Sequence, residues 1–178
     1  MTKLELEDFD QELPDYLNLS VVMAKKPSTH PWADFEYQAV GVVVNDNDKE
    51  EPMRRIYQDG EVEHFLISGL KLRLHIDECE SYYHNLMSPE PGCFIVADDS
   101  EHEGEMPIPY LVSLSFDEAH AYLEGDQQVY SVEIPQQLYQ WAEAFVLTRY
   151  VAVKKTKRKL KNWHATEKPG SQTLPKSS

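Results

Sequence analysis

Glycine is scarce in this sequence: seven in 178 residues, none set out as GxGxxG or GxxxxGK[ST]. Without such a loop the backbone has no ready cradle for phosphates, which disfavours nucleotide binding. Cysteine is scarcer still, with Cys79 and Cys93 alone and no CxxC pair. A chain of this length buries about 70% of the surface its unfolded form exposes, so it needs neither disulfides nor a structural metal to fold. No run approaches the ~20 consecutive apolar residues that span a bilayer. The acidic start MTKLELEDFDQ also lacks an apolar signal segment. These absences point to a cytoplasmic protein with reduced thiols.

Charge is plentiful but unevenly placed. Eight of the 17 Lys/Arg and only one of the 31 Asp/Glu fall in residues 151–178, a net of +7 that leaves the first 150 residues at −21. The acidic body repels nucleic acid and anionic membranes, whereas the basic end attracts acidic surfaces, its own body included. Composition suits three parts: an acidic arm over residues 1–16, one β-rich globular domain over 17–153, and a basic disordered tail over 154–178.

Alternation dominates the middle. Leu17, Leu19, Val21 and Met23 alternate into a strand, and a loop over residues 25–31 follows. Residues 35–44 read as a second strand with Gly41 at a bulge. Asp59-Gly60 between the apolar runs 53–57 and 62–67 signals a hairpin. Ser68-Gly69 reads as a second reversal before the alternation of Leu70, Leu72, Leu74 and Ile76. Residues 81–87, apolar on both faces, suggest a covered strand; 93–97, 110–116 and 129–132 suggest three more. Ser115 and Glu118 have capping-box spacing for a short helix over 116–123. Leu138, Trp141, Ala142 and Phe145 form the stripe of an amphipathic helix over 135–150. The fold expected is α+β: a mainly antiparallel curled sheet or open barrel of seven to nine short strands, with the short helix and the C-terminal helix packed on it.

Chemistry is harder to find. On a strand, His75, Asp77 and Cys79 would share one face, with His84 and Cys93 nearby, but no second ligand pair supplies the spacing zinc requires. The reading is no metal and no cofactor, with His75, Cys79, His84 and Cys93 the only set from which a Cys/His cleft could be built. Cys93 beside an imidazole would be an activated nucleophile. It opens the run Cys-Phe-Ile-Val, however, and a free cysteine there reads as core. The acids cluster in solvated loops, with no calcium-loop pattern. No catalytic residue is assigned. Trp32, in a proline-flanked loop, is the expected exposed anchor for a partner, with Lys154, Lys155, Lys157, Arg158 and Lys159 a basic contact.

Three blocks carry a resemblance: SVVMAKKPSTHPWADFEYQAVGVV, LKLRLHIDECESYYHNLMSPEPGCFIV and LVSLSFDEAHAYLEGDQQVYSVEIPQQLYQWAEAFVLTRY. Together they resemble an uncharacterised proteobacterial domain-of-unknown-function family, number 3305, whose genes tend to lie beside those for molybdenum-dependent formate dehydrogenases. Some members carry the label molybdopterin-guanine dinucleotide biosynthesis protein A. That activity calls for a glycine-rich nucleotide loop near the N-terminus, and this chain has none. The resemblance, with the missing motifs and the split charge, implies a non-catalytic cytoplasmic accessory protein. Its partner would be a protein, a formate dehydrogenase subunit undergoing maturation or assembly. The alternative is a molybdenum-cofactor or metal-handling protein that uses the Cys/His cleft.

Overall fold

A computed structural model of the chain describes residues 13–45, 51–99 and 105–150. Among these residues are seven strands and three short helices, with four strands preceding the first helix. The strands are β1 (Tyr16–Pro27), β2 (Phe35–Val44), β3 (Met53–Asp59), β4 (Val62–Arg73), β5 (Gly92–Asp98), β6 (Ile108–Ser113) and β7 (Gln128–Glu133). The helices are α1 (Cys79–Leu86), entered through a 3-10 turn at Ile76–Glu78, then α2 (Phe116–Glu124) and α3 (Gln136–Phe145), which runs on into a π-helical turn at Val146–Tyr150. The α+β class expected from the alternation is the class found. The strands form two antiparallel sheets, ordered β2-β1-β4-β3 and β6-β5-β7, with no closed barrel among the described residues.

The smaller sheet lies with β6 beside β4 and β7 beside β2. One hydrophobic cluster fills the space between. Leu19, Val21, Ile67 and Leu70 come from the large sheet, and Cys93, Ile95, Val112 and Val132 from the small one. Tyr82 and Leu86 of α1 join it, as do Leu138, Trp141 and Ala142 of α3. Each fully buried aliphatic side chain of this kind stabilises by about 1.5–3 kcal/mol. The indole Nε1 of Trp141 donates to the Pro14 carbonyl at 2.9 Å, tying the start of β1 to α3 across 127 residues.

Local signals explain several elements. Gly60, with φ of 60°, closes the β3–β4 hairpin at the expected Asp-Gly pair. Ser115 Oγ accepts from the Glu118 N–H at 3.1 Å and caps α2. The return bond takes a longer route: the Ser115 N–H donates to Ser113 Oγ, and that hydroxyl donates to the Glu118 carboxylate at 2.7 Å. The β2 bulge falls at Val40, one residue before Gly41, because Val22 pairs with Gly41 and Met23 with Ala39.

Some expectations give way. Residues 81–86 belong to α1 rather than a strand, and Met87 caps the helix's C-terminal end. Cys79, Tyr82 and Leu86 recur at helical spacing and face the core, so the two-sided apolar look came from a helix read at the wrong period. Ser68-Gly69 does not reverse the chain. β4 runs on to Arg73, and Leu19 pairs with Leu70 while Val21 pairs with Ile67, leaving Ser68 and Gly69 opposite Ser20 alone. Gly69, at φ of 86°, takes the left-handed conformation of a bulge. β1 continues through Lys25 and Lys26, where a loop was expected. The strand expected over 70–76 stops at Arg73, and the one over 110–116 stops at Ser113.

Candidate functional site

The two thiols lie inside the core. Cys79 is 1% exposed and Cys93 is fully enclosed. Burial pushes the Cys79 thiol up to about 11 and the Cys93 thiol up to about 12. A thiol held protonated is neither a nucleophile nor a ready metal ligand at neutral pH. His75, Asp77 and Cys79 do not share a strand face: they fall on a loop, a 3-10 turn and the first residue of α1. Cys79 Sγ instead lies 3.9 Å from the His75 carbonyl. His84 is exposed on α1, 3.8 Å from Glu80 one turn earlier. Among the described residues, no three His, Cys, Asp or Glu side chains converge as a metal site would require.

A groove of about 410 Å³ opens beside α1. Its walls come from four elements and one turn. α1 supplies Ser81, His84 and Asn85; the following turn supplies Ser88 and Glu90; β5 supplies Gly92 and Phe94; α2 supplies Phe116 and Asp117, with Ser131 of β7 at the edge. Phe94 and Phe116 meet edge to face, centroids 6.0 Å apart, and His120 stacks on Phe116 at 5.7 Å. Phe116 leaves 57% of its surface in solvent.

Asn85 forms the groove's buried floor. Its Nδ2 donates to the Gly92 carbonyl at 2.7 Å and to the Leu114 carbonyl at 2.9 Å, while its Oδ1 accepts from the Gly92 N–H at 2.9 Å. One amide thus uses three of its four bonding positions to join α1 to β5 and to the residue after β6. Below it, Ser115 Oγ donates to Glu78 Oε2 at 2.7 Å and lies 3.0 Å from Ser81 Oγ. Nothing in the sequence singled out Asn85, since an asparagine between a histidine and a leucine carries no sign of burial.

A second surface lies at one end of the large sheet. Trp32 is 90% exposed, in the loop joining β1 to β2. The strand register puts that loop and the Asp59-Gly60 turn at the same end, because Lys25 pairs with Glu63 and Glu63 with Gln58. β3 is an edge strand with every residue exposed, including Met53, Ile56 and Tyr57. An exposed edge presents unpaired backbone groups that another chain can meet. The Asp59-Gly60 hairpin signal marked β3 as a strand, but only its place at the sheet edge makes it a surface. Lys154, Lys155, Lys157, Arg158 and Lys159 lie outside the described residues, as do the acidic arm up to residue 12 and the rest of the basic end. Among the described residues, no helix is long and apolar enough to cross a membrane.

A family model described as a protein of unknown function (DUF3305) matches residues 18–159. No curated protein and no solved structure matches the chain.

Proposed function

This chain belongs to the DUF3305 family, and on that premise we propose that it is a non-catalytic accessory protein that works by binding another protein. The partner we propose is a subunit of a molybdenum-dependent formate dehydrogenase during maturation or assembly, with the cytoplasm as the site of action. One observation carries the reading. The side chains with reactive potential are enclosed or apart, while Trp32 stands in solvent at one end of the large sheet and the whole of β3 along its edge. A large aromatic side chain with its surface free is the residue type that most often anchors a protein interface. The alternative, handling of a molybdenum cofactor or metal through His75, Cys79, His84 and Cys93, draws no support from this geometry, because both thiols are shut inside the core.

Affinity capture of the full chain from cells making the dehydrogenase tests the proposal. The expected result is recovery of a dehydrogenase subunit, reduced several-fold by Trp32→Ala. That substitution should change stability by less than about 0.5 kcal/mol, as for other exposed positions. Capture of no such subunit, with dehydrogenase activity unchanged when the gene is deleted, removes the proposal.

A further inference from the structure

The groove beside α1 is lined by carboxylates and aromatic rings, with the imidazole of His84 on its α1 wall. Glu90 and Asp117 supply two carboxylates, no Lys or Arg takes part, and Phe94 and Phe116 supply aromatic surface. Carboxylates next to exposed rings suit an ammonium or guanidinium on a flexible stem: the acids hold the charge, and the rings take the methylenes and the cation's face. The described chain ends at the π-helical turn Val146–Tyr150, which packs against α1. α1 is also the helix that lines the groove. Passing around one helix of about 10–12 Å diameter is a path of roughly 16–19 Å, half its circumference. Six extended residues span about 20 Å, so the chain can reach the groove by residue 156, within the segment 154–161. There the sequence becomes KKTKRKLK, six cations in eight residues with no acid. Tethering so close gives the segment an effective concentration on the order of millimolar at the groove.

We propose that this aromatic–acidic groove is the docking site of the chain's own basic segment, residues 154–161, which seats a Lys or Arg side chain between Glu90, Asp117 and the two phenylalanines. The contact is intramolecular and electrostatic. It keeps the cationic segment on the acidic body until a more acidic partner competes for it. The inference does not depend on who the partner is, so it stands or falls separately from the function proposed above.

The test uses the full chain carrying a nitroxide on Thr156→Cys. The native thiols do not interfere, because Cys79 and Cys93 are closed to the labelling reagent. The amide NMR signals of Ser88, Phe94, Asp117 and Ser131 should broaden, while those of Met53–Asp59 should not. In 1 M salt, where the screening length is about 3 Å, the broadening should be lost. It should fall at least twofold in Glu90→Gln, and at least twofold in Asp117→Asn. Equal broadening over the whole acidic surface, none at the groove, or an effect that both variants leave intact overturns the proposal. So does equal broadening in a mixture where the nitroxide and the isotope are on different molecules, since the occupant would then be a second copy.

Discussion

Replacing Asn85 by alanine should uncouple α1 from the small sheet. The side chain is buried and makes three hydrogen bonds, to the Gly92 N–H, the Gly92 carbonyl and the Leu114 carbonyl. Alanine leaves all three backbone groups without that partner. At about 1 kcal/mol or slightly more for each, the loss is about 3–4 kcal/mol. Native stability is only about 5–15 kcal/mol, so this is a large fraction of the total. At about 2–4 °C for each kcal/mol, the melting temperature should fall by about 6–16 °C. Urea unfolding followed by tryptophan fluorescence is a suitable assay, because Trp141 is buried and Trp32 is already in solvent. Asn85→Asp sharpens the test. It keeps the acceptor for the Gly92 N–H but sets a carboxylate against two carbonyl oxygens. Such a carboxyl binds its proton more tightly folded than unfolded, so stability falls as pH rises above the ordinary value of about 4. Asn85→Asp should therefore lose more stability relative to the native protein at pH 7 than at pH 4. A cost below 1 kcal/mol for alanine, or a pH-independent cost for aspartate, would refute the view that this amide is the joint.

The thiols make stability depend on pH at the alkaline end. The unfolded chain gives up thiol protons near 9, whereas the folded chain keeps them to about 11 at Cys79 and about 12 at Cys93. The folded state then holds more protons, so stability should decline from pH 9 upward. Melting temperatures at pH 8 and pH 10 check this, and Cys93→Ala should flatten the slope. At Gly92 an added Cβ would meet Ser131 Oγ at 2.6 Å and the Phe94 ring at 3.3 Å. Gly92→Ala should cost about 1–2 kcal/mol, and Ser131→Ala should recover part of that cost in a double-mutant cycle, whereas simple additivity contradicts the contact. Ser115→Ala removes the α2 cap and a partner of Glu78; a loss of about 1–2 kcal/mol in urea is expected, and a neutral result speaks against the cap.

Much of the fold was legible because alternation and turn chemistry act locally. Asp59-Gly60 needed only its own backbone preference, and the Ser115 cap needed only a hydroxyl three residues before an N–H. The misread positions share a cause. Ser68-Gly69 has the composition of a reversal, and a glycine at positive φ serves a turn or a bulge equally well; β1 alongside made it a bulge. Residues 79–86 are short, with two adjacent tyrosines that favour strands, so two helical turns were too few to show their period. The candidate Cys/His set was a matter of nearness in sequence, and α1 separated it by turning Cys79 inward and His84 outward.

The antiparallel α+β class, the β3–β4 hairpin and the capped α2 follow from short stretches of chain, since each depends on side chains and backbone angles within a few residues of one another. Tertiary structure alone decided which polar groups went inside and which apolar ones stayed out. Asn85 is buried because three backbone groups from β5 and the residue after β6 converge on it, and β3 is exposed because, among the described residues, no strand of the sheet lies beyond it. Those are relations between distant segments, and their energies exist only once the segments have met.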